Sequence, residues 1–488
     1  MLRNSIKIIL FTLLPLLLTS ESYSQYNIKL KIGSFPNDSL LFGHYFSESL
    51  VLKDTFFTNS AGEARISGNE SLPAGMYTIF FPNQRRFDLL IDEDQEFSVI
   101  TDTINVLADT KISGSKENEL FYQYLTFLDN KRKESDLLQT RINHSSGKDD
   151  SIATRKRLEE VNSEVKEYVQ GIMDNNPELF LSKFLYSLKE IEVPDPPRDE
   201  NGNLTDSSFQ VKYYKQHYFD YFDLSDVRLL RSPIYQSKLK TYIEKWIYPH
   251  PDSIYREVDW LIEKSRSDSL LFKYMLSTLF NHYATSKYVG MDAVYAYIAN
   301  KYYIPEATWS SPDFIEKLKE RVEKLDPLLI GKVSPDIEMV RVSDDHFMAA
   351  ESDTALKRNP YVGDFFSLHH LTADYIVLYF WESDCGHCKK SIPQLYDLWR
   401  ELNTKTNRLE VVAVNMLGGI EGKEKWVNFI NQYHLYGWVN AWNPYDFSYK
   451  EAYDVTSSNI LYLLDKDKKI IAKRIAPEQV KEIIQQQY

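Results

Sequence analysis

The sequence predicts a multidomain chain with an N-terminal antiparallel β-sandwich, a central all-α region and a C-terminal α/β fold. Three observations carry this reading. Up to about residue 111, short apolar runs alternate with polar residues at period two. From about 115 to 326, apolar residues recur at three- and four-residue spacing. From about 329 onward, buried-strand runs alternate with helical ones. The 488 residues suit about three domains. Their expected bounds are 25–114, 115–328 and 329–488, after a leader of residues 1–24.

The leader reads as an export signal. Arg3 and Lys7 precede Ile8 to Leu18, an apolar run interrupted by Thr12 and Pro15 and too short for a comfortable membrane span. Ser22 and Ser24 flank Tyr23, so cleavage is expected before Gln25. No cysteine follows the apolar run, so a lipid anchor is not supported. No later stretch approaches the ~20 apolar residues of a spanning helix. The expectation is an exported protein of the periplasm or cell envelope, with no integral membrane segment after cleavage. The formal net charge is −13. The leader carries Arg3, Lys7 and Glu21, a net +1, so cleavage would leave −14. That balance argues against nucleic acid as a partner, because no basic face could neutralise phosphates.

In the first region, Asn27 to Ile32, Leu40 to Tyr45 and Val51 to Thr58 read as strands. Turn signals recur at Phe35 to Asp38, Ser60 to Glu63, Pro73 to Gly75 and Ile91 to Gln95. The acidic cluster Asp92, Glu93, Asp94 and Glu96 reads as a solvated hairpin tip. In the second region, Leu120, Tyr124, Phe127 and Leu128 open a helical hairpin broken at His144 to Gly147. Further helices are expected over 179–190, 236–246, 252–265, 270–282, 291–301 and 313–324. The aromatic run Tyr213 to Phe222 reads as a core face, and Asp199 to Asn203 as a plain turn.

In the third region, Tyr375 to Trp381 reads as a buried strand and the cysteines to about Leu402 as a helix. Leu409 to Asn415 is the next strand and Glu424 to His434 a helix. Trp438 to Trp442 is a short strand and Phe447 to Tyr453 a short helix. Ile460 to Leu464 and Lys469 to Ala472 form a hairpin, and a helix from Pro477 closes the chain.

All the thiol chemistry lies in one run. The chain has two cysteines, Cys385 and Cys388, within Trp381-Glu382-Ser383-Asp384-Cys385-Gly386-His387-Cys388. A C-x-x-C after a strand and before a helix suits a redox dithiol. A structural bridge there would close only a tiny loop and stabilise little. A structural zinc needs four ligands, and the remaining candidates are His387 and the distant His369-His370, so no metal and no cofactor are expected. Cys385, at the helix start, is expected to ionise more readily and attack; Cys388, one turn on, would resolve. Gly386 lets the turn close, His387 is expected to stabilise the thiolate, and Asp384 to oppose it.

Phe380-Trp381-x-x-x-Cys385-Gly-His-Cys388-Lys-Lys-x-x-Pro393 resembles the thioredoxin superfamily, specifically its exported TlpA/ResA-like branch. Gly331-Lys332-x-x-Pro335-Asp336 resembles the run that leads into that domain. Trp381 matches the motif tryptophan and Pro393 the kink in the active-site helix. The first two regions resemble the DUF4369-like and DUF5106-like parts of multidomain Bacteroidetes proteins. The resemblance implies a thioredoxin fold and a thiol–disulfide oxidoreductase. Its partners would be protein disulfide or thiol clients and an envelope electron-transfer partner. The stabilised thiolate puts the expected potential nearer ~−180 mV than ~−270 mV. Three positions depart from the family pattern. Asn459 stands at the cis-proline place, Tyr379 at the place of the buried acid, and Ser391 where the branch often has Glu. A cis bond before Asn459 would cost about 3–4 kcal/mol, so either the loop is strained or the bond is trans. Proton transfer to Cys388 would then fall to Glu382 or water. The alternative reading is a binding module that kept the dithiol and lost turnover.

Overall fold

The computed structural model describes residues 25–82, 85–144, 148–406 and 408–486. The leader lies outside the described residues, as does the helix break at Ser145-Ser146-Gly147. The chain divides into two compact units, Met1–Trp246 and Ile247–Tyr488.

In the first unit, the strands are β1 (Tyr26–Gly33), β2 (Ser39–Phe46), β3 (Ser49–Phe57), β4 (Glu63–Gly68), β5 (Gly75–Phe80), β6 (Arg86–Ile91), β7 (Glu96–Asp102) and β8 (Lys111–Ser113). They form two four-stranded sheets, ordered β4-β1-β7-β8 and β3-β2-β5-β6. Alternation drives this: Tyr26, Ile28, Leu30 and Ile32 of β1 are buried, while Lys29 and Lys31 face solvent. The expected all-antiparallel pairing is corrected at one place. β1 and β7 are parallel, with Ile28 beside Phe97. Between them the chain crosses to the other sheet, returns as β4 on the far side of β1 and crosses again before β7, a long-range connection that local patterning does not reveal.

The acidic turn after β6 is also more than a solvated tip. Asp92 is ion-paired with Arg228 at 2.7 Å, with both side chains about one-fifth exposed. Asp94 accepts from the Lys116 N–H at 2.9 Å, at the start of the helix Lys116–His144. That helix covers the edge strand β6. The Asn118 carboxamide accepts from the Leu90 N–H at 2.8 Å and donates to the Leu90 carbonyl at 2.6 Å, leaving less free edge to pair elsewhere. Glu117 is buried and accepts from the Leu181 N–H, at the start of the helix Phe180–Ser187. Burial pushes its carboxyl up to about 7. The second long helix, Lys148–Asn175, joins the first through Phe127 stacked on Tyr168 at 4.0 Å and Arg157 bridging Glu134 and Glu164. The aromatic run splits: the helix Phe209–His217 buries none of its residues, and burial begins at Tyr218 and Phe222.

The second unit opens with the helices Pro251–Lys264, Ser269–Ala284, Met291–Ile298 and Pro312–Leu325. Pro251 and Pro312 at the first helical position and side-chain caps from Asp268 and Ser311 fix the starts of the first, second and fourth of these. They lead to a seven-stranded sheet ordered β10-β9-β13-β12-β11-β14-β15. Its strands are β9 (Glu338–Arg341), β10 (Asp364–Ser367), β11 (Tyr375–Trp381), β12 (Leu409–Asn415), β13 (Val439–Trp442), β14 (Ile460–Asp465) and β15 (Ile470–Lys473). β11, β12 and β13 run parallel, while β14 is antiparallel to β11. β11 is apolar throughout because both its faces are covered. Val377, Tyr379 and Trp381 face one core, and Ile376, Leu378 and Phe380 the other. β9, β10 and the helices Asp344–Ala349 and Thr354–Arg358 between them add to the expected element order. A bidentate pair, Arg321 with Asp454 at 2.6 and 3.0 Å, ties the helix Pro312–Leu325 to the segment before β14.

Candidate active site

β11 ends at Trp381, and the chain turns through Glu382-Ser383-Asp384 to the cysteines. The Cys385 N–H donates to the Glu382 carbonyl at 3.2 Å, closing that turn. The helix runs Cys388–Thr406, so Cys385 lies just ahead of it rather than inside its first turn. It is nonetheless the capping residue. Its carbonyl accepts from the Lys389 N–H at 3.1 Å, and its Sγ accepts from the Cys388 N–H at 3.4 Å. The sulfur thus sits where the orphan N–H groups and the positive end of the helix dipole favour an anion. Both cysteines are free thiols; Cys385 is partly exposed and Cys388 fully buried.

Their environments push the two thiols apart. For Cys385, partial burial opposes ionisation. Hydrogen bonds from the Ser458 hydroxyl, from Cys388 and from the His387 N–H outweigh it, so the thiol lies below its ordinary value. For Cys388, burial dominates and the hydrogen bond to Cys385 adds to it, raising the thiol to about 11.

The supporting residues are placed as follows. His387 is exposed, and it is its backbone N–H that reaches Cys385. Asp384 is ion-paired to Lys425 Nζ at 2.9 Å; the ammonium holds its carboxyl below the usual range and offsets the charge expected to oppose the thiolate. Gly386 is exposed, with open space where a Cβ would project. Trp381 is fully buried against Phe429, with ring centroids 5.2 Å apart. Pro393 lies inside the helix, where it removes one backbone donor. Glu382 hydrogen-bonds Cys388 through its backbone. His369 hydrogen-bonds the Ser334 carbonyl at 2.9 Å, away from the cysteines in sequence and in contacts.

Opposite the dithiol, every described peptide bond is trans, including that before Asn459. Asn459 instead adopts a left-handed φ of +70°, which asparagine tolerates better than most residues. Its N–H donates to the Phe380 carbonyl at 2.9 Å, and its Oδ1 accepts from the Tyr379 hydroxyl at 2.5 Å. This hooks Ser458 toward the cysteines, where its hydroxyl hydrogen-bonds both sulfurs. Ser458, Tyr379 and Lys425 are the site residues that motif reading did not single out as contributors. Only the odd residues at the proline and acid places hinted at a substitute. Among the described residues, no three His, Cys, Asp or Glu side chains converge as metal ligands would.

A seven-stranded sheet with a C-x-x-C capping the helix that follows its parallel strand β11 defines a thioredoxin-like domain. The chain belongs to the thioredoxin-like proteins. A family model described as thioredoxin-like matches residues 373–470, and one described as a domain of unknown function, DUF5106, matches 154–326. Among solved structures, the chain is similar to a domain of a possible thiol-disulfide isomerase from Cytophaga hutchinsonii, at 32% identity over 33% of this chain and 95% of that one, TM-score 0.27. It is also similar to a thioredoxin-like protein from Bacteroides caccae, at 17% identity over 62% of this chain and 100% of that one, TM-score 0.44. A third is the thioredoxin domain of a thiol-disulfide oxidoreductase from Bacteroides vulgatus, at 19% identity over 32% of this chain and 96% of that one, TM-score 0.26. No curated protein matches the chain. No helix among the described residues is long and apolar enough to cross a membrane.

Proposed function

We propose that the protein is a thiol–disulfide oxidoreductase of the cell envelope that exchanges its Cys385-Cys388 dithiol with protein disulfides. The observation that carries this is the division of labour between the sulfurs: one partly exposed and held toward its thiolate, the other buried and held protonated. The Cys385 thiolate attacks one sulfur of a client disulfide. A Cys385–client bond forms, the client S–S bond breaks, and the released client thiolate takes a proton. Cys388 then loses its proton and attacks Cys385 Sγ. The Cys385–Cys388 bond forms, and the second client sulfur leaves and is protonated. The client is reduced by two electrons and the enzyme oxidised by two; an envelope electron partner restores the dithiol. Run in reverse, the same steps oxidise a client. The export signal read in residues 1–24 supports the location, where protein disulfides persist.

The test is dithiothreitol-driven reduction of insulin. The wild type is expected to turn over, and Cys385→Ser to fall to the uncatalysed rate. Equal rates for the two would refute the reading and leave the binding module.

A further inference from the structure

Once per cycle Cys388 must ionise, yet it is fully buried in an apolar cluster, with the Ser458 hydroxyl reaching its sulfur from the loop before β14. The polar side chain reaching it from the strand side is Tyr379 of β11, itself 1% exposed. The Tyr379 hydroxyl is surrounded by three groups: Asn459 Oδ1 at 2.5 Å, the Cys388 thiol, and the Ser391 hydroxyl one turn along the helix. A phenol has one proton and can donate it to one acceptor at a time. While Cys388 is a neutral thiol, the Asn459 carbonyl oxygen is the better acceptor, and the structure shows that bond. Once Cys388 is a thiolate, the charged sulfur becomes the better acceptor, since charge-assisted hydrogen bonds are roughly twice as strong as neutral ones. Ser391, donating to the phenol oxygen, polarises the O–H further.

We propose that Tyr379 is the positioning residue of the resolving step: its O–H rests on Asn459 Oδ1 in the dithiol and moves to Cys388 Sγ as that sulfur ionises. Tyr379 keeps its proton throughout. The proton leaving Cys388 ends on the departing client sulfur, so atoms and electrons balance as in the exchange above. The burial of Tyr379 fits this role, because desolvation and the neighbouring Cys388 both oppose loss of its proton. This inference rests on the exchange reaction proposed above and assigns control of its second half to a residue that the first half does not need.

The test is single-turnover reaction of the reduced full chain with a model peptide disulfide, acid-quenched and resolved by mass spectrometry. Tyr379→Phe keeps the ring and removes the donor. Formation of the mixed disulfide is expected within about twofold of wild type, and its resolution slowed about 10–100-fold, the worth of a hydrogen bond to a charged group. Ser391→Ala, outside the strand core, is expected to slow resolution by a smaller factor, about threefold. It supplies the answer if Tyr379→Phe does not fold. Unchanged resolution in whichever of these variants folds would overturn the role of Tyr379 while leaving the exchange reaction standing. Absence of any mixed disulfide in a Cys388→Ala variant treated with the same peptide would overturn both.

Discussion

Replacing Cys388 by alanine is expected to freeze the reaction halfway. Cys385 keeps its place at the helix cap, the Ser458 hydroxyl and the two backbone N–H groups, so attack on a client disulfide proceeds. With no second sulfur to break it, the mixed disulfide accumulates. Multiple turnover should fall at least ~100-fold, about 2.7 kcal/mol in the barrier. The check is non-reducing electrophoresis of the variant mixed with an envelope extract, followed by mass spectrometry. Client proteins should be covalently joined at Cys385. Adducts no more abundant than in a Cys385→Ser, Cys388→Ala double variant would mean that Cys385 does not attack.

The second large effect concerns Asn459. Proline, the residue that the family pattern places there, is expected to harm this protein. Proline fixes φ near −65°, against the +70° observed, and lacks the N–H that donates to the Phe380 carbonyl. It also deletes the Oδ1 that receives the Tyr379 hydroxyl. Together these should cost about 3 kcal/mol. For a unit this size, that lowers the melting temperature by roughly 6–12 °C. Asn459→Gly, which tolerates the backbone, should cost distinctly less. A thermal scan in which Asn459→Pro melts at or above wild type would mean that the loop facing the cysteines is not built as described.

How much of this was legible beforehand follows from the range of each interaction. β11, β12 and β14 are readable because burial on both faces forces unbroken apolar runs such as Tyr375 to Trp381. The two cysteines are readable because the spacing and the flanking strand and helix are local. β9 and β10 are four residues each, too short for a period to register, and they take meaning only by pairing with each other and with β13. The parallel pairing of β1 with β7 and the ion pair of Asp92 with Arg228 join residues far apart in the chain. At the site, the same limit applies. That Lys425 offsets Asp384, or that Ser458 reaches both sulfurs, depends on loops meeting in space. The residue types at 379 and 459 announced a departure from the family pattern, but not that the two would bond to each other.

Everything functional depends on the unequal chemistry of two sulfurs three residues apart. Its direct measurement is the pH dependence of iodoacetamide alkylation of the fully reduced chain, with each cysteine quantified separately by mass spectrometry. Cys385 should react first, with a midpoint below that of an ordinary thiol, and Cys388, with its thiol near 11 and no exposed surface, should stay protected while the chain is folded. Equal alkylation of the two across the pH range, or Cys388 reacting ahead of Cys385, would contradict the account.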